Sequence, residues 1–438
     1  MSSSDYASLF NELESAHASP RGIPVLGSIG QGLSEEQAAA LAGSFSRSAT
    51  VCAGAGAGKT RLLVERAAAL VAAGANPDRV AVVTFTRKAA TEISGRLATR
   101  LGTRNRVPVC ATVHSLALSL LTRKGLAVRV ASDAQVAEVL LQLRQELPSE
   151  YDDYSDSELL LEMNRCREEE QYHTTAGIIS LRFEELLAIA GLTDFTSLLV
   201  VATKTIKGGF DHILVDEAQD LSQLQQTFLR TIGNPRSRYW YIGDADQAIY
   251  AFRGAHADVM RELTAQCEDQ YVLSMNYRSA NSIVQHANNV IRFNEGRIAI
   301  DWKAHRTDAG SVSVEYFDHG DKELEHVEQW LWDKPGRAVL ARTQALIAPL
   351  REKGLAAFTV HESKGLEWSD VWVMGCEAAL FPHPLCARDE ERRLFYVAMT
   401  RARDTLTLSY CGSRSTKNPA NATRHPSGFL FETQALNG

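Results

Sequence analysis

Three short stretches carry residue types that together could transfer a phosphoryl group to water. The first is VCAGAGAGKTR, residues 51–61. Gly54, Gly56 and Gly58 let successive backbone N–H groups face one concavity at a helix N-terminus, a nest for phosphate. Lys59 has the reach for terminal phosphates, and Thr60 offers a hydroxyl to Mg2+. The G-x-x-x-x-G-K-[ST] pattern is met except at its first position, where Ala53 stands. Alanine fits there if its φ is negative. Ala55 and Ala57 complete the loop. The second stretch, HILVDEAQD, ends an apolar run in Asp216 and Glu217. Asp216 suits the metal, and Glu217 a base that orients and deprotonates attacking water. The bland alternative is a solvated turn after a strand. The third is GDADQAIYAFRG, residues 243–254. The Gln247 amide could bond a γ-phosphate or the water. Tyr250 and Phe252 flank a turn and are either core aromatics or a face for a second ligand.

Such groups need rigid elements to converge. Short β-branched runs at 80–85, 107–113, 212–217, 239–244, 338–342, 370–375 and 405–410 predict strands. They alternate with helical patterns, among them 60–74, 87–102 and 392–403. This rhythm predicts an α/β fold with parallel sheets. Residues 123–210 break it: mostly helical in pattern and locally acidic, they read as a helical insertion. Residues 1–30 read as a flexible N-terminal extension without the apolar core of a secretory signal.

The chain has 438 residues, 45% hydrophobic and 23% charged, enough for more than one domain. Its net charge of −7 argues against a coat of nucleic acid but permits a local basic channel. The seven cysteines are scattered with no C-x-x-C pair, which predicts neither zinc site nor disulfide framework. No apolar run reaches the ~18 residues of a membrane span. The expectation is a cytoplasmic protein with no membrane association.

The ordered set GLSEEQAAAL, AGAGAGKTR, VVTFTRKAATEISGRL, CATVHSLALSLL, FDHILVDEAQDLS, GDADQAIYAFRGA, LSMNYRSANSIV, VHESKGLEW and ERRLFYVAMTRARDTL resembles the UvrD/Rep/PcrA group of superfamily 1 DNA helicases. The resemblance runs from about residue 32 to 410. Phosphate loops of that family read A-G-A-G-x-G-K-T, which makes Ala53 its usual residue there. The resemblance implies two RecA-like P-loop NTPase lobes with ATP and Mg2+ in the cleft between them. The first lobe would be 31–122 and 211–275, carrying the 123–210 insertion, and the second 276–438. It also implies that Gln37 reads the adenine edge, Arg61 helps hold the base and Tyr277 stacks on it. Arg278 and Arg401 would contact the γ-phosphate, a role that suits an always ionised guanidinium. Glu367 would touch the ribose.

By the same resemblance, Phe85, His114, Tyr250 and Phe252 would present π-faces to single-stranded DNA, with Arg87 and His361 on the same track. Phe252 replaces a more usual Trp. Arg253 would couple the aromatic loop to Glu217. The Arg96, Arg100, Arg104 and Arg106 cluster is either a solvated helix face or a phosphate track. The implied activity is 3′→5′ movement on single-stranded and tailed duplex DNA in repair or replication, with protein partners unspecified. One departure stands out. The interval from Arg278 to His361 is too short for the large accessory domain that the family usually inserts there, which leaves processive unwinding in doubt. The alternative is an ATP-switched translocase or protein-displacing module that unwinds little.

Overall fold

The computed structural model describes residues 29–147, 154–250, 258–298, 300–332, 334–414 and 424–435. The described chain falls into two compact units. The first comprises Met1–Val51, Thr60–Ile242 and Tyr250–Tyr271, and the second Cys52–Lys59, Gly243–Ile249 and Val272–Gly438. Packing therefore groups the phosphate loop and the Gln247 turn with the C-terminal part of the chain.

The first unit runs α1 (Glu35–Ala42), β1 (Ala49–Ala53), α2 (Lys59–Ala72), β2 (Val80–Thr84), α3 (Arg87–Leu101), β3 (Val109–Thr112) and α4 (Val113–Arg123). Four helices follow: α5 (Asp133–Glu146), α6 (Asp156–Glu168), α7 (Thr175–Ile189) and α8 (Phe195–Thr205). It closes with β4 (Phe210–Val215), α9 (Gln223–Ile232), β5 (Gly233–Gly243), α10 (Val259–Gln266) and β6 (Asp269–Leu273). The sheet order is β3-β2-β4-β5-β1-β6. β2 pairs parallel with β3 and β4, and β4 parallel with β5. All five residues of β2, VAVVT, are buried, the continuous apolar run of a parallel strand covered on both faces. Thr86 and Thr112 cap α3 and α4 through side-chain oxygens that accept from Ala89 N and Ser115 N.

Helices α5 to α7 make a core of their own from Val139, Leu143, Leu159, Met163, Phe183 and Leu187, among others. α8 packs mainly on α4 and α9 and also touches α6. Three of the four insertion helices thus share a hydrophobic core distinct from that of the sheets. The chain enters and leaves them at one place: Val130 and Thr193 form a parallel bridge, Ala131 N donates to Thr193 O at 2.8 Å, and Thr193 N to Arg129 O at 2.9 Å.

The second unit contains β7 (Met275–Asn276), α11 (Asn281–Ile291), β8 (Lys303–Ala304), β9 (Ser311–His319), α12 (Gly320–Leu331), β10 (Arg337–Ala341), α13 (Gln344–Glu352), β11 (Ala357–Thr359) and α14 (Val360–Ser363). β12 (Trp368–Met374), α15 (Arg388–Met399), β13 (Ala402–Ser413) and α16 (Gly428–Thr433) follow. Its five-stranded sheet has the order β11-β10-β12-β13-β9, every pair parallel. Val327, Leu331, Val339, Ile347, Trp372 and Met374 are among its core residues.

The structure corrects the helix expected at 392–403. It starts at Arg388 and ends at Met399, with Thr400 as C-cap donating to Tyr396 O and Ala398 O. β13 begins at Ala402, so Arg401 stands in a tight turn rather than on a helix face. Strands β1, β6, β7, β8, β9 and β11 lay outside the expected set. Among the described residues no helix is long and apolar enough to cross a membrane.

Candidate functional site

The phosphate loop follows β1, whose last residue is Ala53. Ala53 is absent from the positive-φ residues, as an alanine there requires, whereas Gly56 and Gly58 have φ of 67° and 81°. Gly54 is not among the positive-φ glycines. It is glycine for space: a Cβ there would lie 2.5 Å from Trp302 Cδ2. A Cβ at Gly56 would meet Arg278 Cβ at 2.6 Å and Asn276 Oδ1 at 2.9 Å. Tyr277 N also donates to Gly56 O at 2.9 Å. The loop is thus gripped by the segment that carries two of the expected site residues.

Lys59 Nζ donates to Ala53 O and Gly54 O, both at 3.2 Å, so its ammonium lies across the mouth of the loop. α2 starts at Lys59, and its first amides open onto that loop. Ala55 and Ala57 are buried within it. The neighbouring turn, Ala245–Gln247, is fixed by Asp244, whose Oδ1 accepts from Asp246 N at 3.0 Å and Oδ2 from Gln247 Nε2 at 2.5 Å. Burial pushes the Asp244 carboxyl up to about 6 against the pull of Lys59. Gln247 Oε1 in turn accepts from Arg401 Nη2 at 3.1 Å. Arg401 is 2% exposed and also donates to Val397 O and Leu366 O. Lys364 Nζ donates to Gln247 O at 2.8 Å. The second unit therefore brings Lys59, Gln247 and Arg401 into one chain of contacts through Asp244.

Arg278 is presented by an Asn276 turn: Asn276 Oδ1 accepts from Arg278 N and Ser279 N, both at 2.8 Å. Its Nε donates to Glu367 Oε2 at 2.5 Å and its Nη1 to Thr400 O at 3.2 Å. Glu367, expected at a ribose, is here the carboxylate partner of Arg278. The Tyr277 ring leans on His305, centroids 4.8 Å apart.

The first unit holds Thr60 and Asp216, the two residues expected at a metal ion. Thr60 Oγ1 and Asp216 Oδ2 stand 3.4 Å apart, a hydroxyl and a carboxylate of the hard-oxygen type that Mg2+ selects. Asp216 Oδ1 accepts from Glu217 N at 3.1 Å. Glu217 has φ 50° and ψ 44°, a left-handed conformation uncommon for a side chain of this kind. Its Oε2 accepts from Gln219 Nε2 at 2.6 Å. Gln37 is buried and its Oε1 closes a capping box with Ser34 N at 3.1 Å. Arg61 Nη2 donates to Gln31 O at 2.7 Å.

Also in the first unit, Phe85 and Tyr250 stack at 5.0 Å with 16° between ring planes. His114 meets Phe195 edge-on at 5.0 Å. Phe85, exposed Arg87, His114 and Phe195 line one cavity of about 570 Å3. Burial lowers the His114 imidazole to about 4, so it is a neutral ring at physiological pH. Phe195 comes from α8 and was missed, because nothing in the sequence ties residue 195 to residue 114. Phe252 and Arg253 lie outside the described residues. His361 is half-buried on α14 in the second unit. The basic cluster is partly structural: Arg100 pairs with Glu65 at 2.7 Å, Arg96 with Glu92, and Arg106 donates to Val71 O.

Sequence reasoning also missed Asp244, Asp246, Asn276, Arg297 and Trp302. The first two sit inside the quoted GDADQ, and their carboxylates between Lys59 and Gln247 were a usable signal. Arg297 grips Asp246 through two bonds, at 2.6 and 3.1 Å, but comes from a segment with no motif.

With this geometry in hand, comparison with known proteins gives a consistent answer. Residues 33–146 and 135–268 match the UvrD/REP helicase N-terminal domain family, and 350–413 the UvrD-like helicase C-terminal domain family. A "Probable DNA helicase" of Mycoplasma pneumoniae is 26% identical over 87% of this chain and 83% of its own length. "DNA helicase II" of Salmonella typhimurium is 30% identical over 57% of this chain and 39% of that protein. "ATP-dependent DNA helicase PcrA" of Leuconostoc citreum is 26% identical over 57% and 37%. The alignments thus span most of the first relative and about two fifths of the other two.

Proposed function

The chain belongs to the UvrD/REP helicase family, and from that premise we propose that it is an ATP-dependent DNA helicase or translocase that moves 3′→5′ on single-stranded DNA. The observation that carries the proposal is the packing of Arg278 on Gly56 together with the Arg401–Gln247–Asp244 contacts. Two guanidiniums beside a phosphate loop suit charge that spreads over a transferring phosphoryl group.

In this reading the loop amides and Lys59 bind the β- and γ-phosphates of ATP. Thr60 and Asp216 would hold Mg2+, which supplies neutralisation of phosphate charge when bound. Glu217 takes a proton from the water that attacks γ-phosphorus, and the bond to the ADP oxygen breaks. Gln247 orients that water or the γ-phosphate. Arg278 and Arg401 stabilise the charge that builds up. Gln37, Arg61 and Tyr277 hold the base, and Glu367 sets Arg278 or the ribose. The Phe85–Tyr250 stack, His114 and Arg87 supply faces and charge for DNA bases and backbone. Phe252, Arg253 and His361 are kept as further DNA residues on the family resemblance alone.

A second reading, a translocase or protein-displacing module with little unwinding, is favoured by one observation. The interval from Arg278 to His361 is occupied by α11, β8, β9, α12, β10, α13 and β11, which build the second unit itself. We propose that no separate accessory domain stands there. The decisive experiment combines ATP turnover with strand displacement. Phosphate release should rise strongly with single-stranded DNA and less with matched RNA. Displacement of a 3′-tailed but not a 5′-tailed duplex supports the first reading. Stimulated turnover with protein stripping and no displacement supports the second. Full turnover without DNA sinks both.

A further inference from the structure

The nucleotide site holds one polar group that none of these roles uses. Trp302 immediately precedes β8 and is 6% exposed. Its indole Nε1–H is buried with no hydrogen-bond partner. The backbone around it is anchored: Asn288 Nδ2 donates to Trp302 O at 2.7 Å, and Lys303 N to Ser274 O at 2.9 Å. β8 pairs with β7 in the register Met275↔Lys303 and Asn276↔Ala304. This pairing sets the indole beside the segment that presents Tyr277 and Arg278 to the phosphate loop.

The indole lies on that loop. A Cβ at Gly54 would be 2.5 Å from Cδ2, 2.6 Å from Cε3 and 2.8 Å from Cε2. These atoms are contiguous along the ring fusion, so the ring covers Gly54, and Nε1, bonded to Cε2, lies at the same end of the loop. A buried donor left unpaired is costly, and native structures keep few of them. An N–H held in a dry setting next to an anion nest makes a strong, charge-assisted bond once the anion arrives.

We propose that Trp302 is a further nucleotide-contacting residue, its indole Nε1–H donating to a phosphate oxygen of bound nucleotide while its ring takes the space that Gly54 leaves. Gly54 and Trp302 then form a matched pair: the glycine admits the ring, and the ring brings the donor. This inference rests on the reading of residues 53–60 as the ATP site.

The test uses the full-length chain and a non-hydrolysable ATP analogue, with binding measured by calorimetry. Trp302→Phe keeps an aromatic ring at this position while removing the donor and part of the fused ring. It should bind about tenfold more weakly and raise KM for ATP with kcat little changed, the signature of a lost ground-state phosphate bond. Equal affinity in a variant that melts at the wild-type temperature overturns the proposal, because a packing role alone predicts that result. A measurement on the unaltered protein guards against a variant that fails to fold. With 15N-labelled tryptophan, one of the six indole N–H signals should shift on adding the analogue; no indole shift also overturns it. Lys59→Ala separates the levels. If the wild type binds the analogue and Lys59→Ala does not, the ATP-site reading stands whatever Trp302→Phe does. If the wild type binds none, both readings fall.

Discussion

Arg401 is buried, and its guanidinium donates to the Gln247 side-chain oxygen, the Thr400 hydroxyl and the Val397 and Leu366 carbonyls, which fixes the plane of the fork. Arg401→Lys should keep the charge but lose the planar fork, lowering DNA-stimulated kcat by about 10³-fold; steady-state phosphate release measures it. Glu217→Gln should cost about 10²–10⁴-fold in kcat with nucleotide binding retained, a split that single-turnover and binding assays resolve. His114 gives a pH prediction. Its folded pKa, about 4, lies below the ordinary imidazole value of 6.5. Above pH 6.5 it is neutral in both states and contributes nothing. As pH falls toward 4 only the unfolded chain takes the proton, so stability drops by up to about 3 kcal/mol. His114→Asn should flatten urea-unfolding free energy over that window, and an unchanged slope would count against the buried, neutral ring. At this scale the sequence was most readable where chemistry forces identity: Lys59, Thr60, Asp216 and Glu217. Trp302 and Arg297 were opaque because their importance is a matter of three-dimensional neighbours.

Elements were legible where composition was extreme. β2, VAVVT, read as a strand because it is buried in character and rich in β-branched residues, and β4 through its apolar ILV run. β9, SVSVEYFDH, is half-exposed and mixes charge into its alternation, so no continuous run marked it. α15 ran past its end on paper because MTRAR has good helix formers; the structure stops it with the Thr400 cap and the immediate start of β13, which pairs with both β12 and β9. Tertiary pairing overrode local propensity. The insertion makes the clearest prediction here. Phe183 is fully buried in the separate core of α5 to α7. Phe183→Ala should destabilise by about 3–5 kcal/mol through the cavity it leaves. Because that core excludes the sheets, chemical denaturation should show a separate early transition, while the ATP-analogue affinity at low denaturant stays near the wild-type value.

For the molecule as a whole, net charge and proposed substrate pull in opposite directions. A chain at −7 that binds a polyanion must do so through a few local contacts. If about three phosphates of a single strand are neutralised, affinity should fall roughly 20-fold between 50 and 200 mM salt. Fluorescence anisotropy of a labelled oligonucleotide across that range checks it, and a much steeper slope would demand a basic track that the described residues do not explain. The α/β class and parallel sheets were readable from the strand–helix rhythm. The grouping of residues 52–59 and 243–249 with the C-terminal part was not, since packing allegiance leaves no mark in a linear pattern.

The bridge between Val130 and Thr193 has a consequence for how such a chain can change over generations. Because the two ends of the three-helix segment already sit side by side, it can lengthen, shrink or be exchanged while its attachment points stay put. Closing a loop between neighbouring ends depends only weakly on loop length. The segment is therefore a cassette: a short glycine-rich turn spliced in place of residues 132–192 should leave β3 and β4 in register with β2, and a different helical module grafted there would inherit the same attachment points.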